Sequence, residues 1–528
     1  MTDINRREFL KVSTAAAALP IAGCIARPIA VRSPYASAIP DGDAGLLVND
    51  IHSQLNATEV REIVKPRTAA DVQAAVVRAR PSGISVAIAG GRHAMGGQQF
   101  GDAAMLIDTR DLNRVLAFDN QRGTITIEGG IQWPQLLEHL NRVQEGADGQ
   151  WGIYQKQTGA DRLSIGGALS CNAHGRGLNL KPIVQQVEEF DLVDADGEVR
   201  TCSRTTDPEL FRLAIGGYGL FGIISRVALR LRPRVKVRRV VALGNTTEII
   251  ERFEERIRDG FLYGDYQFAT DSCRDSFLTS GIFSCYQPVP LDTPLTEHPT
   301  RFNPEDWARL TFYSHTQKAL AFKFYSTRYL ATSGQVYWAD SQLSAAYVDN
   351  YHAELDRATH ATVPGTEMIT EIYVDRPRLA VFMQEAQALL RRRQANVIYG
   401  TVRLIEKDDE TFLAWARDRY ACVIFNLHVD HTPECIDRTA ETFRQLIDLG
   451  IAHNGSYYLT YHRWARRDQV ERCYPQMREF LALKRQYDPE EVFQSTWYRH
   501  YRAMFGLNPR RSASSKSATA DVASCFPC

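Results

Sequence analysis

The pattern of apolar and polar positions near the N-terminal end predicts a helix, then a buried strand that runs into a glycine-rich loop. Thr68 is a good helix N-cap and precedes a helical run to Arg80. Residues Ile84–Ala89 form a short apolar, β-branched run typical of a buried strand. The glycines that follow allow tight turns and a close approach of backbone N–H groups to an anion; they are Gly90, Gly91, Gly96 and Gly97.

A second stretch repeats this arrangement further along the chain. Leu163–Ile165 is predicted as a short apolar strand, and it leads into Gly166–Gly167, His174–Gly175 and Gly177. Two such loops can hold a pyrophosphate and a flat ring between them, so the pattern predicts a flavin site. Neither G-x-G-x-x-G after a strand nor a Walker A loop is present in the sequence, which disfavours a nicotinamide or ATP site.

The second half of the chain has the mixed pattern of a domain with both helices and strands. Leu379–Arg393 has helical spacing, whereas Val397–Glu406 and Cys422–Val429 alternate like strands, and another strand is predicted to start at Glu371. Gly455–Trp464 is predicted as a late strand crowded with aromatic and basic side chains. Alternation assigns its residues to two faces, Tyr457, Leu459, Tyr461 and Arg463 on one and Tyr458, Thr460 and His462 on the other.

Only one face of that late strand can point at a flavin, and we favour the face with Tyr461 and Arg463, with His462 as the alternative. Aromatic packing in a sheet core explains the pattern equally well. Arg403 and His428 lie in apolar strand patterns, where a polar side chain needs a reason. A site facing the substrate is one reason, and a satisfied hydrogen bond in the core is the other.

His428, Asp430 and His431 are the residues of the late strands that most suggest a metal ion. If the strand continues, His428 and Asp430 face one side and His431 faces the other. The pattern therefore disfavours a shared ion, and we predict no metal site from the sequence.

Residues from about Lys65 to Pro233 resemble the FAD-binding (PCMH-type) domain of the vanillyl-alcohol oxidase type of flavoproteins. Besides the two loops, the resemblance rests on VEEFDLVDADGEVRT at Val187–Thr201 and on DPELFRLAIGGYGLFGIISRVALRLRP from Asp207. It implies an α+β fold, with a two-subdomain FAD-binding domain and an inserted α+β substrate (cap) domain. The expected divisions are a signal and linker at 1–40, the FAD-binding domain at 45–234, the substrate domain at 235–450, a C-terminal segment returning to the FAD domain at 451–505, and a disordered tail at 506–528.

The resemblance also implies which residues bind FAD. They are Gly90, Gly91, Arg92, His93, Ala94, Gly96, Gly97 and Gln98 of the first loop, Thr158, Ser164, Gly166, Gly167, Cys171, His174 and Gly175 around the second, and Gly222 and Ile223 of the later turn. Arg92 has the alternative of pairing with a structural carboxylate. Cys171 has the alternative of a small buried apolar side chain.

In this family, a histidine at the position of His93 often bonds covalently to the flavin 8α-methyl group, so we expect such a link or else a histidine packed beside a noncovalent flavin. Some relatives add a second link through a cysteine before the second loop. Gly159 and Ala160 occupy those positions here, so no second link is expected.

Two branches of the family share features with the chain. His174–Gly175 resembles the His-Gly of the aldonolactone and alditol oxidases, and this leaves His174 as an alternative catalytic base. VRTCSRTTDPELF and GGYGLFGIISR resemble cytokinin dehydrogenases, whose catalytic aspartate lies near the position of Asp161. Asp161 is offset by two residues from that pattern, which weakens the prediction of amine oxidation.

The function implied is an exported FAD-dependent oxidoreductase that oxidises the CH–OH group of a small alcohol, sugar or lactone. A base takes the hydroxyl proton while hydride leaves the carbon for flavin N5, and Tyr461, His462 or Arg403 orients or polarises the substrate oxygen. Oxygen or a periplasmic or membrane electron carrier then reoxidises the flavin. The alternatives are an amine dehydrogenase of the cytokinin dehydrogenase kind and a non-enzymatic flavin-binding carrier.

Length and charge fit this function class. The 528 residues suggest two domains, and 62 basic residues balance 62 acidic ones, so nothing indicates a nucleic-acid partner. Asn5–Lys11 and the apolar run that follows it resemble a twin-arginine export signal, and Ile21–Cys24 resembles a lipobox that would lipidate Cys24. A periplasmic or membrane-anchored location is therefore expected, with any membrane contact made through that lipid. Cys525 and Cys528 form a C-x-x-C that we assign to the tail.

Overall fold

A computed structural model of the protein describes residues 46–343 and 351–507. The predicted export signal, the Cys24 lipobox and the Cys525/Cys528 tail lie outside the described residues. Within the described part, no helix is long and apolar enough to span a bilayer. The cysteines in this part of the chain are all free thiols.

In the N-terminal half, the strands among the described residues are β1 Leu46–Val48, β2 Thr58–Val60, β3 Glu62–Val64, β4 Val86–Ala89, β5 Met105–Asp108, β6 Val115–Asp119, β7 Thr124–Glu128, β8 Trp151–Gly152, β9 Val187–Val193, β10 Val199–Ser203, β11 Ile223–Arg230 and β12 Arg232–Pro233. Its helices are α1 Ala69–Ala79, α2 Trp133–Val143, α3 Ile165–Ser170 and α4 Pro208–Ala214. Strands β3, β5 and β4 form a parallel sheet, and the order β10-β9-β11-β7-β6 forms an antiparallel one.

The C-terminal half adds β13 Lys236–Asn245, β14 Tyr263–Phe268, β15 Ser280–Val289, β16 Val336–Trp338, β17 Gly365–Asp375, β18 Val397–Ile405, β19 Tyr420–Asp430 and β20 Ser456–Tyr457. These strands form one eight-stranded sheet in the order β16-β13-β15-β14-β18-β19-β17-β20. Its helices are α5 Ile249–Arg258, α6 Pro304–Thr316, α7 Lys318–Leu330, α8 Ala339–Leu343, α9 Tyr351–Thr359, α10 Leu379–Arg392, α11 Pro433–Ala452, α12 Arg467–Cys473, α13 Met477–Tyr487 and α14 Thr496–Met504. Short 3₁₀ turns lie at Thr109–Asp111, Ile183–Gln186 and Arg376–Arg378. The mixture of helix and sheet is as predicted.

Most of the predicted helices and strands are explained by sequence signals that lie within or next to them. Thr68 caps α1 in a reciprocal capping box with Asp71, which satisfies two backbone donors at the helix start. The predicted apolar strand before the first loop is β4, and the predicted helix from Leu379 is α10. The strand predicted to start at Glu371 is β17, which begins six residues earlier, at Gly365.

Two predicted strands are wrong. Leu163–Ile165 is not a strand, because the Ser164 side chain accepts a hydrogen bond from the Gly167 amide and thereby begins helix α3. In the late segment, only Ser456–Tyr457 pairs with β17 as a strand, and the chain turns after Tyr457. Strict alternation therefore does not apply beyond Tyr457: the Tyr458 and Tyr461 rings, predicted on opposite faces, lie 5.6 Å apart.

The C-terminal segment lies against the first glycine loop. Phe493 pairs with Val86 of β4, the Thr496 amide donates to the Phe100 carbonyl, and the Trp497 amide donates to the Gly97 carbonyl. The C-terminal segment of the described chain therefore packs against the loop that the sequence pattern assigns to the flavin.

Candidate active site

The two glycine loops meet each other. Gly90 of the first loop packs against Ser164 so closely that a Cβ on Gly90 would lie 2.0 Å from the Ser164 hydroxyl oxygen. Gly97 has a φ of +74°, which glycine adopts without the strain that a side chain would add. Both glycines are therefore required by the backbone path, and the path brings the predicted phosphate-binding segments together.

Buried polar atoms of the first loop are left for a ligand. The Gln98 side-chain amide donates to the carbonyls of Leu459 and Thr460, and the Gln99 amide donates to the Ala94 carbonyl. The remaining side-chain oxygen of each glutamine is buried and has no hydrogen-bond partner within the described residues, and the same holds for the Thr158 hydroxyl. Buried polar groups are normally satisfied, so these atoms fit a polar group such as the FAD predicted to bind here.

His93 is buried in the first loop beside a second histidine. Its Nδ1 atom lies 2.9 Å from Nε2 of His52. Burial and the neighbouring His52 ring hold the pKa of His93 well below its ordinary value, so the imidazole is neutral. A neutral imidazole is the nucleophilic form, which suits the predicted bond to a flavin. Arg92 forms an ion pair with Asp108, at 3.2 Å between Nη2 and Oδ2. Pairing with a structural carboxylate is the alternative to FAD binding that the sequence leaves open for Arg92.

The second loop connects to the eight-stranded sheet through His174. Its Nε2 atom lies 2.9 Å from Oε2 of Glu371, and its Nδ1 atom lies 3.1 Å from the Gly175 carbonyl oxygen. Both ring nitrogens therefore face oxygen atoms. This geometry makes His174 a hydrogen-bond donor to Glu371 and leaves it no free nitrogen with which to act as a base.

Glu371 is the residue on which several predicted site residues converge. Tyr461 donates to its Oε1 at 3.0 Å, and Tyr373 donates to its Oε2 at 2.9 Å. Burial opposes ionisation of Glu371, but the interaction with His174, the positive charge of Arg403 and the hydrogen bond from Tyr373 outweigh it, so the pKa of Glu371 lies below its ordinary value. From the sequence alone, Glu371 is recognisable only as a strand position. The available signal was an ionisable residue inside the apolar run Ile-Thr-Glu-Ile-Tyr-Val.

Strand register places a polar row beside Glu371. Glu371 is opposite Ile424, Ile424 is opposite Thr401, and Thr401 is opposite Gln267, in one line across β17, β19, β18 and β14. Paired residues of antiparallel strands share a face. Arg403, two positions along β18 from Thr401, therefore lies on the same face as Glu371, in the next row.

Arg403 is available to a ligand. Its side chain is 6% exposed, and its Nε atom has no hydrogen-bond partner within the described residues. Gln267 Oε1 and Asp265 Oδ1, on the same face, are also buried without a hydrogen-bond partner in this part of the chain. Arg403 can donate to a hydroxyl or carbonyl oxygen, and the two acceptor oxygens can accept from hydroxyl groups. We call the surface formed by Arg403, Gln267 and Asp265 the polar sheet face.

The structure does not bring every predicted site residue to this face. His462 is 1% exposed and contacts Thr370, which lies on the opposite side of β17 from Glu371. Burial lowers the pKa of His462 to about 3, so it is a neutral core histidine packed against Phe443 and Trp464. Arg463 lies at the first loop, where it donates to Asn56.

Several other residues singled out from the sequence lie outside the two runs of glycine. Tyr458 donates to the Cys171 carbonyl at 2.6 Å, and burial raises the pKa of the Cys171 thiol to about 11, as expected for an unreactive side chain. Gly222 has a φ of +147° at the entry to β11, and Ile223 packs in the core beneath it. Asp161 forms an ion pair of 2.6 Å with the buried Lys156.

The FAD binding domain family matches residues 60–203, which contain both loops, and the D-arabinono-1,4-lactone oxidase family matches residues 358–501, which contain Glu371, Arg403 and Tyr461. The chain is an FAD-dependent oxidoreductase. Its FAD-binding domain is of the PCMH type, as the sequence resemblance implied. This identification as an enzyme argues against the non-enzymatic carrier.

Individual relatives come from both branches that the sequence resembles. L-gulono-1,4-lactone dehydrogenase of Mycobacterium tuberculosis is 25% identical over 439 residues, covering 83% of this chain and 95% of that protein. Cytokinin dehydrogenase 5 of Oryza sativa is 32% identical over 209 residues, 37% of this chain and 38% of that protein. The mitochondrial L-galactono-1,4-lactone dehydrogenase of Arabidopsis thaliana is 26% identical over 209 residues, 38% of this chain and 33% of that protein.

Proposed function

We propose that this FAD-dependent oxidoreductase oxidises a CH–OH group of an aldonolactone or a similar small polyol. The polar sheet face is the observation that carries the proposal, because Arg403, Gln267 and Asp265 present buried polar atoms that a hydroxyl-rich substrate can bind. The names of the lactone dehydrogenase relatives and the lactone oxidase match over residues 358–501 support the same substrate class. In this proposal the eight-stranded sheet belongs to the inserted substrate domain.

We assign the FAD site to the two glycine loops with Gln98, Gln99 and Thr158. When bound there, FAD supplies the two-electron acceptor for the substrate carbon. Arg403 binds the substrate oxygen, and its positive charge stabilises that oxygen as its proton leaves. The reoxidant is oxygen or another electron acceptor.

Tyr461 and Glu371 provide a route for the hydroxyl proton. The Tyr461 hydroxyl donates to Glu371 Oε1, so its oxygen lone pairs remain available to accept a hydrogen bond from the substrate. As the substrate O–H bond breaks, the proton passes to the Tyr461 oxygen, and the tyrosine proton passes to Glu371 Oε1. His174 and Tyr373 hold the carboxylate in position for this transfer.

The test of the proposed function is a steady-state screen of the purified holoenzyme. Aldono-1,4-lactones, alditols and a cytokinin-type amine are compared with an artificial electron acceptor and with oxygen. We expect kcat/KM for lactones or polyols to exceed that for the amine, because Asp161, which lies near but not at the position of the amine-oxidising aspartate, is paired with Lys156. Turnover confined to the amine would refute the proposal.

Tyr461→Phe tests the proton route. The variant keeps the ring but removes one hydrogen bond to the substrate and to Glu371, so we expect kcat to fall about tenfold, equivalent to roughly 1.4 kcal/mol. Tyr487→Phe is the matched control, because Tyr487 lies at the end of α13 and its hydroxyl also donates to a carboxylate, that of Glu209, away from the polar sheet face. An equal loss in both variants would contradict a specific role for the Tyr461 hydroxyl.

We further propose that His93 carries the flavin covalently. In wild-type protein we expect yellow-green flavin fluorescence to stay with the denatured chain on a gel, and in His93→Ala we expect it to disappear. His139→Ala, on helix α2, is the control and should keep the fluorescence. Release of all flavin from the denatured wild-type chain would exclude the covalent bond and leave the FAD site itself untouched.

Export through the twin-arginine pathway is also a proposal. It rests on Asn5–Lys11 and the apolar run after it. Exchange of Arg6 and Arg7 for lysine should leave the enzyme in the cytoplasmic fraction of a bacterial host, whereas the unchanged signal should deliver it to the periplasmic or membrane fraction. Equal distribution of the two forms would overturn the assignment.

A further inference from the structure

Three histidines surround one buried carboxylate away from the polar row of Glu371. Glu367 of β17 lies directly opposite His428 of β19, and its side chain is 4% exposed. His315 of α6 contributes Nε2 at 2.8 Å from Glu367 Oε1, and His428 contributes Nδ1 at 3.4 Å from the same oxygen. His352 of α9 places Nδ1 at 3.1 Å from Glu367 Oε2. We call His315, His352, Glu367 and His428 the Glu367 cluster.

The far nitrogens of two of these rings are already engaged. His315 Nδ1 lies 2.8 Å from the Thr311 carbonyl oxygen, which can only accept, so that nitrogen carries a proton. His428 Nε2 lies 3.3 Å from Asp430 Oδ1, which favours a proton there as well. In the neutral rings, the lone pairs of His315 Nε2 and His428 Nδ1 then point at Glu367 Oε1. Lone pairs that face a carboxylate oxygen require a cation between them, either protons or a metal ion.

The ring nitrogens of His352 provide a second, independent observation about this cluster. It is 4% exposed, and neither ring nitrogen has a hydrogen-bond partner within the described residues, although Nδ1 lies close to Glu367 Oε2. The Tyr351 hydroxyl donates to that same oxygen. Buried polar groups are normally satisfied, and an ion bound between this imidazole and the carboxylate would satisfy it.

We propose that the Glu367 cluster binds one divalent transition-metal ion of the zinc class. His315 Nε2, His428 Nδ1 and a Glu367 oxygen are the ligands, whose atoms all lie within 4.8 Å of one another. His352 Nδ1 supplies the fourth. Imidazole with carboxylate suits Zn²⁺, Co²⁺ or Ni²⁺ better than Mg²⁺ or Ca²⁺. The Thr311 carbonyl and Asp430 act as the outer partners that orient the histidines in such sites.

The position of the cluster determines which parts of the protein the bound ion would connect. Its ligands come from α6, α9, β17 and β19, so the ion cross-links two helices to the sheet. His52, which contacts His93, interacts electrostatically with both His352 and Glu367. The ion therefore lies close to the histidine pair of the first glycine loop.

The test is metal binding by the full-length flavin-loaded protein after chelator treatment and dialysis. We expect titration with Zn²⁺ to saturate at one ion per chain, to release protons and to raise the melting temperature. With Co²⁺, we expect visible d–d absorption of a tetrahedral site at wavelengths beyond the flavin bands. His428→Ala, His315→Asn and Glu367→Gln should each lose the Co²⁺ absorption and the stoichiometric Zn²⁺.

His431→Ala is the matched control, because His431 is the sequence neighbour that binds Thr366 on the other side of the strand. It should retain one Zn²⁺ per chain and the Co²⁺ spectrum. No saturable binding by the wild-type protein would overturn the proposal and assign the cluster to protonated imidazoles paired with Glu367. Binding that survives in His315→Asn and Glu367→Gln would overturn it as well. Retained flavin and a cooperative melt identify variants that fold.

Discussion

Arg403→Ala is expected to lower kcat/KM for the lactone or polyol substrate by about 10²–10³-fold, the loss that follows removal of one buried donor to a developing oxyanion, roughly 2.7–4 kcal/mol. The side chain is buried on the polar sheet face with Nε left without a hydrogen-bond partner among the described residues. It is therefore placed to bind substrate, and its removal breaks no hydrogen bond that the fold makes within this part of the chain.

Further substitutions separate the contribution of the Arg403 charge from that of its planar geometry. Arg403→Lys keeps a point charge but loses the planar fork, so we expect activity between those of wild type and Arg403→Ala. Added guanidinium ion, at concentrations that leave the fold intact, should restore part of the alanine variant's activity. Arg238→Ala, an exposed position on β13, should keep wild-type kcat/KM. Wild-type activity in Arg403→Ala, with its flavin retained, would remove Arg403 from the site.

The parts of the fold that the sequence predicted are those specified by neighbouring residues. The capping box of Thr68 and Asp71, the apolar run of β4 and the glycines after it are all local signals. Arg403 could be singled out for the same reason, because one polar side chain interrupts an apolar strand pattern. In each case the physical requirement and the residue that meets it lie within a few positions of one another.

The late segment shows where local pattern fails. Aromatic residues from Ser456 onward alternate like a strand, but the chain leaves the sheet after Tyr457. Tyr461 then reaches Glu371 while His462 packs behind the strand against Thr370. The turn is set by tertiary contacts, such as the Thr460 carbonyl accepting from Gln98 and Gly96 far away in the chain. No window of sequence around Tyr461 contains that information.

The two carboxylates of β17 were missed for the same reason. Glu371 is identified as a site residue by His174, 197 positions earlier, and Glu367 by His315, 52 positions earlier. From the sequence alone, the visible partners of His428 are Asp430 and His431, its neighbours in the chain. Strand pairing instead places His428 opposite Glu367, and a helix adds His315. Ionisable residues within apolar strand patterns were therefore visible, but their partners were not.

Glu371→Gln is expected to lower the free energy of unfolding by about 2–3 kcal/mol near neutral pH, because the buried carboxylate accepts from three O–H and N–H donors in addition to the weak Cys422 thiol donor, and hydrogen bonds to a charged group are the strong ones. The donors are His174, Tyr373 and Tyr461, and glutamine keeps the shape but not the charge. Denaturant unfolding followed by far-UV circular dichroism measures the change. Glu248→Gln, the same substitution in an exposed pair with Arg252, is the control and should cost at most about 1 kcal/mol.

The pH dependence of the stability difference between wild type and Glu371→Gln separates the effect of the carboxylate charge from that of packing. The pKa of Glu371 in the folded protein lies below its ordinary value of 4.5, so the ionised form stabilises the folded state. This contribution is fully present above pH 4.5 and is lost as the pH falls through the lower, folded-state pKa. The gap between wild type and Glu371→Gln should therefore be constant from neutral pH down to about pH 5 and narrow below that. A gap that stays the same at acidic pH would mean that the glutamine acts through shape alone, and that Glu371 is not held as the carboxylate that the proton route from Tyr461 requires.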